Sequence, residues 1–312
     1  MKNISVVSSG SSLASRLARH KILLFMFLPG FLLILLFSYG PMYGIQIAFK
    51  DYSLGLGVWG SDWVGMKHFQ RLFTDAKSLS VIWNTIAISL LKLGFGFPAP
   101  ILLALILNEA DNRIFKKTAQ TVSYLPHFLS WIIVANLFTN LLSPGSGVVN
   151  HLIKLLGGEP VYFLTDPAMF RATLVFSSVW KEVGWGTVVY MAVIASIDVS
   201  MYEAAIADGA NRLQRMIHLT LPSLIPTASI LLILSVGGIM NAGFDQVFNM
   251  YNPLVLESTD IIDTYVYRVG LVNFSYSFSA AVGLFKSLVG LIMVLIVNSV
   301  TGRLSGKENG LW

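Results

Sequence analysis

Ionisable side chains inside oily segments are where chemistry has to be sought in this chain of 312 residues, because it has few of them. Lys92, Lys181, Glu182 and Lys286 each interrupt a long apolar run. Each such group costs roughly 2.5–3.5 kcal/mol to place in hydrocarbon, so each needs a reason to be there. One reason is that the lysines face a polar cavity. The other is that Lys181 neutralises Glu182 while the rest extend towards headgroups.

A second concentration of charge lies outside these runs. The stretch SMYEAAIADGANRLQRMIHLTLPSLIP, residues 200–226, gathers Glu203, Asp208, Arg212, Arg215 and His218 between two of the most apolar segments. Ser200 followed by Glu203 fits a capping box, in which each side chain satisfies the other's backbone N–H. The helix so started carries Tyr202 and Ile206 on one face, and Gly209 can end it in a left-handed conformation. A second helix from about Asn211 places Leu213, Met216 and Ile217 together and turns Arg212 and Arg215 towards solvent. The expected shape is helix, glycine turn, helix, and amphipathicity alone would also suit an interfacial hairpin.

Catalytic motifs are missing. The sequence contains no G-x-x-x-x-G-K-[ST] phosphate loop, no H-E-x-x-H and no G-x-S-x-G, and its five histidines are scattered. With no cysteine, disulfides, thiol nucleophiles and thiolate metal sites are excluded, and no metal-binding pattern is recognisable. No basic run interleaved with aromatics suggests nucleic acid.

The elements that must position these residues are set by composition. The chain is 55% hydrophobic and only 12% charged, with mean hydropathy +0.70, against about 25% charged in a soluble domain. Too few solvated groups remain to cover a globule, so lipid wets much of the surface. Six apolar windows, near 22–40, 81–107, 121–142, 171–196, 223–244 and 278–300, have the length of about 20 residues that crosses a bilayer. The fold class expected is an all-α polytopic membrane protein of about six transmembrane helices. The first window follows a basic, serine-rich stretch like a signal peptide, but it is too long and is read as a retained span.

Lysine and arginine fix an orientation. They concentrate in the N-terminal tail (1–21), the 108–120 loop, the 197–222 loop and the C-terminal tail (301–312), which are therefore expected to be cytoplasmic. Residues 41–80 then form an extracytoplasmic cap, and residues 81–300 the main transmembrane domain, with the charged loop at 200–222. Counted from the outer ends, Lys92, Lys181 and Lys286 lie at similar depth, roughly 12–17 Å in at about 1.5 Å per residue.

The segment EAAIADGANRLQRMIHLTLP resembles the EAA loop of binding-protein-dependent ABC importer permeases. The likeness continues through VWKEVGWGTVVYMAVIASIDVSMYEAA, WNTIAISLL and YLPHFLSWIIVANLF, which look like maltose-type carbohydrate permeases. PMYGIQIAFKDY and NAGFDQVFNMYNP look most like the oligosaccharide and alginate importer branch, and the similarity covers roughly residues 20–305. In that family the loop docks in a cleft of a cytoplasmic ATPase. The resemblance implies that Glu203, Ala204, Ala205, Asp208 and Gly209 couple this chain to such a motor. It also implies a second homologous permease subunit, two cytoplasmic ATP-binding subunits that hold ATP and Mg, and an extracytoplasmic solute-binding protein. This chain itself would hold no cofactor and would not be an enzyme. It would work in a bacterial cytoplasmic (inner) membrane, in contact with lipid and a saccharide.

By the same resemblance, substrate contacts are expected on span five, at Asn241, Asp245, Gln246 and Asn249, although these could equally be ordinary span-end residues. Trp185 and Tyr190 could stack on sugar rings, although membrane interfaces and helix packing are commoner uses of aromatics. Lys181, Glu182 and Lys286 complete the candidate pathway, in which lysines would favour an anionic saccharide such as a uronate or alginate-like oligomer. An ion-gradient-driven secondary transporter with Glu182 and Asp245 as ion sites is the main alternative. A membrane-embedded enzyme or a scaffold explains less of the pattern.

Overall fold

The structure, a computed structural model, describes residues 20–304. Nearly all of the 1–21 tail and most of the 301–312 tail therefore lie outside the described residues. Helix dominates, in the order that the apolar windows require. The helical run α1 covers Lys21–Phe49, α2 Lys67–Thr74, α3 Ala76–Asn108, α4 Arg113–Phe128 and α5 Trp131–Leu142. After α6 (Val148–Leu155) come α7 (Pro167–Ala195), α8 (Val199–Ala207) and α9 (Arg212–Gly237). The chain finishes with α10 (Phe244–Met250), α11 (Ile262–Val266, continued by a wider turn to Val272) and α12 (Tyr276–Leu304).

Four of these helices, α1, α3, α9 and α12, are long and apolar enough to cross a membrane, and the number rises to six if each of two bent pairs is one span. The first expectation to need revision is the third span. Instead of one helix over 121–142, α4 and α5 meet at 106°. Pro126 offers no N–H to continue the α4 ladder, and the Ser130 hydroxyl caps the new helix at the Ile133 N–H. The second bent pair, α7 and α8, turns by 72°. The first span is also longer than its window, remaining helical through Gly40–Phe49 where a loop was expected.

α1 is apolar all round, and none of its residues from Lys21 to Ile34 is buried. Its far end alone is anchored, where Ala48 packs with Phe69 and Ala281. A small antiparallel pair follows, β1 (Lys50–Asp51) on β2 (Asp62–Trp63), in register Lys50 to Trp63. Together with α2 it makes up a small folded segment over residues 50–74.

Besides the small Ala48 cluster, three larger patches build the interior. Ile88, Val134, Phe138, Phe170, Leu174 and Val247 join α3, α5, α7 and α10. Val81, Met240, Ile262, Tyr265, Phe278 and Val282 join α3 to α11 and α12. Ala104, Leu105, Tyr190, Ile194 and Leu224 tie α3, α7 and α9 together just before the charged elbow. α3 contributes to all three of these patches and α7 to two, and Gly184 lets α7 approach α4 closely. A Cβ there would lie 2.0 Å from the Ser123 carbonyl oxygen, so no side chain fits without moving backbone.

Candidate functional site: a charged elbow beneath a polar cavity

Two features stand out, one outside the bundle and one within it. The elbow comprises α8, a glycine turn and the start of α9. Its first cap differs from the expected one. Asp198, not Ser200, is the N-cap, and its Oδ1 accepts from the Ser200 N–H at 2.9 Å. That backbone donor, helped by the Ser200 hydroxyl, holds the Asp198 carboxyl below its ordinary range. Asp was overlooked because Ser200 and Glu203 already satisfied the pattern; the helix simply begins sooner.

The turn behaves as its glycine requires. Gly209 sits at φ +82°, and the Ala210 N–H reaches the Ala205 carbonyl while the Gly209 N–H reaches that of Ile206. This double bond pattern closes a helix around a left-handed residue. The capping box is present one turn later: Asn211 Oδ1 accepts from the Gln214 N–H at 2.9 Å, and Gln214 Oε1 accepts from the Asn211 N–H at 2.8 Å. Behind the turn, the Tyr202 hydroxyl lies 2.8 Å from Thr220 Oγ1, joining the two arms. An exposed ion pair, Arg212 to Asp111 at 2.9 Å, ties the elbow to the loop after α3.

Glu203, Ala204, Asp208 and Gly209 are exposed on this elbow and Ala205 is half-buried. Apolar Met201, Ile206 and Leu213 are more than half exposed beside them. A cavity of about 400 Å³, lined by Ala205, Asp208, Gly209, Gln214, Arg215 and His218, fills the crook. Of the five residues singled out from the sequence, Ala205, Asp208 and Gly209 line this cavity, and Glu203 and Ala204 are exposed on the same short helix.

Within the bundle, the sequence candidates separate into two groups. Glu182, Trp185, Tyr190 and Asn241 line a cavity of about 420 Å³ between α3, α7 and α9, together with Lys92. Lys286 lines a second cavity of about 540 Å³, which Asn241 also borders. Gln246 and Asp245 line neither. Gln246 is fully buried, its amide nitrogen donating to the Leu174 carbonyl and Ser177 Oγ at 2.7 and 2.8 Å, which packs α10 against α7, while its Oε1 accepts from Lys92 of α3. Asp245 is exposed at the start of α10.

Two of the three lysines within the apolar runs are neutralised locally. Lys181 Nζ donates to the His127 carbonyl at 2.7 Å and lies 3.2 Å from Glu182 Oε1. Glu182 Oε2 meets His127 Nδ1 at 2.7 Å, and the His127 ring stacks on Trp185 with centroids 4.7 Å apart. His127 sits at the break between α4 and α5, so Lys181 satisfies a carbonyl that the broken helix leaves without a ladder partner. Lys286 pairs with Asp263 of α11. His127 and Asp263 were not singled out from sequence; a proline-adjacent histidine inside an apolar window was the available sign of the first.

A polytopic helical membrane protein with an internal cavity that carries a few charged and polar side chains and an exposed, capped elbow is the class these features define. Residues 96–306 match the family of binding-protein-dependent transport system inner membrane components. The chain belongs to that family, and it is a multi-pass inner-membrane permease. It is 45% identical to Protein LplB of Bacillus subtilis (strain 168) over 96% of this chain and 94% of LplB. It is 44% identical to the polygalacturonan/rhamnogalacturonan transport system permease protein YteP of the same organism, over 95% and 92%. Among solved structures it superposes with TM-score 0.88 and 40% identity on a chain of a bacterial alginate ABC transporter in complex with an alginate pentasaccharide-bound periplasmic protein. That match covers 95% of this chain and 99% of the other.

Proposed function

We propose that this permease conducts an oligosaccharide inward, taking it from an extracytoplasmic binding protein and drawing its energy from ATP hydrolysed by separate subunits. The observation that carries the reading is the elbow: a doubly capped hairpin, continuous with α7 through a 72° bend and with α9 directly, exposing an apolar and acidic face. Such a hairpin can transmit a push to two helices at once, and both of these line the cavity. The YteP and alginate-transporter similarities favour an acidic saccharide.

In this reading a second permease completes the pathway and two ATP-binding subunits, holding ATP and Mg, grip the elbow formed around Glu203, Ala204, Ala205, Asp208 and Gly209. Both termini lie on the cytoplasmic side. ATP-bound and nucleotide-free motors favour different arrangements of the bundle, and a loaded binding protein favours one of them, so the two together shift the equilibrium between inward and outward access. Sugar passes Trp185, Tyr190 and Asn241.

The test is reconstitution of the chain with its partner subunits in vesicles. Uptake of an oligosaccharide that requires both ATP on the elbow side and the binding protein on the other is the expected result. Uptake by this chain alone, driven by an ion gradient without ATP, would overturn the reading.

A further inference from the structure

One charge in the main cavity has no opposite. Lys92 and Glu182 are the charged side chains that line it. Glu182 is already answered by Lys181 and His127. The Lys92 ammonium instead donates to the Ala242 carbonyl at 2.6 Å and to Gln246 Oε1, both neutral acceptors. Among the described residues no carboxylate lies within ion-pair distance of it. A cation buried against neutral dipoles keeps part of its desolvation cost, and an anion brought beside it offsets that cost.

Donor capacity points the same way. An ammonium has three N–H donors, and two are spent, so one remains. Three residues before it on α3, and therefore on the same helix face, Ser89 also lines the cavity. Its hydroxyl is buried and is without a hydrogen-bond partner among the described residues. Buried hydroxyls are ordinarily satisfied, and one that is not is a place where a ligand atom fits.

We propose that Lys92 and Ser89 form a carboxylate subsite in the cavity, which favours passage of oligosaccharides bearing uronate groups. This rests on the reading of the chain as a saccharide-conducting permease. Lys181 and Lys286 are not the selectors, because Glu182 and Asp263 already cancel them. One free ammonium donor and one hydroxyl make a weak site, which suits transit, since a pathway must attract its cargo without retaining it. Trp185, exposed on the same cavity, offers an aromatic face for the sugar ring.

The experiment compares an oligogalacturonide with its methyl ester, alike in length and linkage but without charge, in vesicles holding the complete transporter. Lys92→Gln keeps a donor for the Ala242 carbonyl and removes the charge; Lys92→Arg keeps the charge. The expected result is a loss of about tenfold in kcat/KM for the charged sugar with Lys92→Gln, little change for the ester, and retained preference with Lys92→Arg. Equal loss for both sugars would make Lys92 a packing residue and overturn the subsite, as would unchanged discrimination. If the unaltered transporter moves neither sugar, the saccharide reading fails and the subsite falls with it. If it moves both and Lys92→Gln does not alter their ratio, the subsite alone fails.

Discussion

The Tyr202 hydroxyl lies 2.8 Å from Thr220 Oγ1, and this one contact closes the elbow between a helix that leaves α7 and a helix that becomes α9. Thr220 is fully buried while the residues in front of it are exposed. The elbow is therefore stiff at its back and open at its face, which is the arrangement a lever needs. Tyr202→Phe removes this contact and leaves the Thr220 hydroxyl with the Arg215 carbonyl, 3.5 Å away, at a cost of about 0.5–1.5 kcal/mol. The expected outcome is normal membrane insertion with several-fold less sugar moved per ATP hydrolysed, measured in the reconstituted complex.

Gly209 provides a separable test of the same element. A Cβ there meets nothing within 4 Å, so substitution costs backbone conformation and not space. Gly209→Ala should weaken coupling by about 1–2 kcal/mol of left-handed strain. Gly209→Asn should be milder, and Gly209→Pro should abolish uptake with the protein still inserted. Glu203→Lys is expected to match the proline variant through reversed charge on the exposed face.

Asp198 makes a pH statement. Its carboxyl is held below the ordinary range by the Ser200 N–H, so the cap is intact at neutral pH and is lost only as pH falls through that depressed value. Asp198→Asn, which still accepts a hydrogen bond, should preserve transport, and Asp198→Ala should reduce it several-fold. Uptake rates of the two variants at pH 7 decide the matter.

Gly184 tests packing rather than coupling. Gly184→Ala forces a methyl group to within 2.0 Å of the Ser123 carbonyl oxygen and should lower the thermal unfolding temperature markedly. Gly283→Ala, where a Cβ meets nothing within 4 Å, should leave it unchanged.

Lys286 and Asp263 form a partner test for the second cavity. Lys286→Met strands a carboxylate and should destabilise the protein by up to about 3 kcal/mol. Adding Asp263→Leu should restore stability, and with it transport, if the pair is structural. Unfolding temperature and uptake, measured on single and double variants, check both halves.

Much of this was legible in the sequence because membranes impose it. Apolar length gave the spans, and Gly209 with the distal Leu221–Pro222 gave the elbow, since few other residues adopt φ +82°. The break at Leu129–Ser130 was not legible, because its apolar composition is that of a continuous span and Pro126 alone is tolerated inside one. The cap was misplaced because Ser200 and Asp198 are both good caps and only the starting residue of the helix decides between them. Within the cavity, Trp185, Tyr190 and Asn241 were found by type, but Gln246 was not separable from them. Whether an amide faces a cavity or an opposing helix depends on contacts between α7 and α10, which lie about 70 residues apart in the chain.

The most direct measurement uses the absence of cysteine from the chain. A single Ala204→Cys on the exposed face of α8 can be treated with a short thiol-reactive cross-linker in the assembled transporter. The account predicts an adduct with the ATP-binding subunit, and none from Phe176→Cys, which is exposed in the N-terminal part of α7 while the elbow follows its C-terminal end. An active complex in which Ala204→Cys gives no such adduct and stays open to a membrane-impermeant maleimide on that side would contradict it.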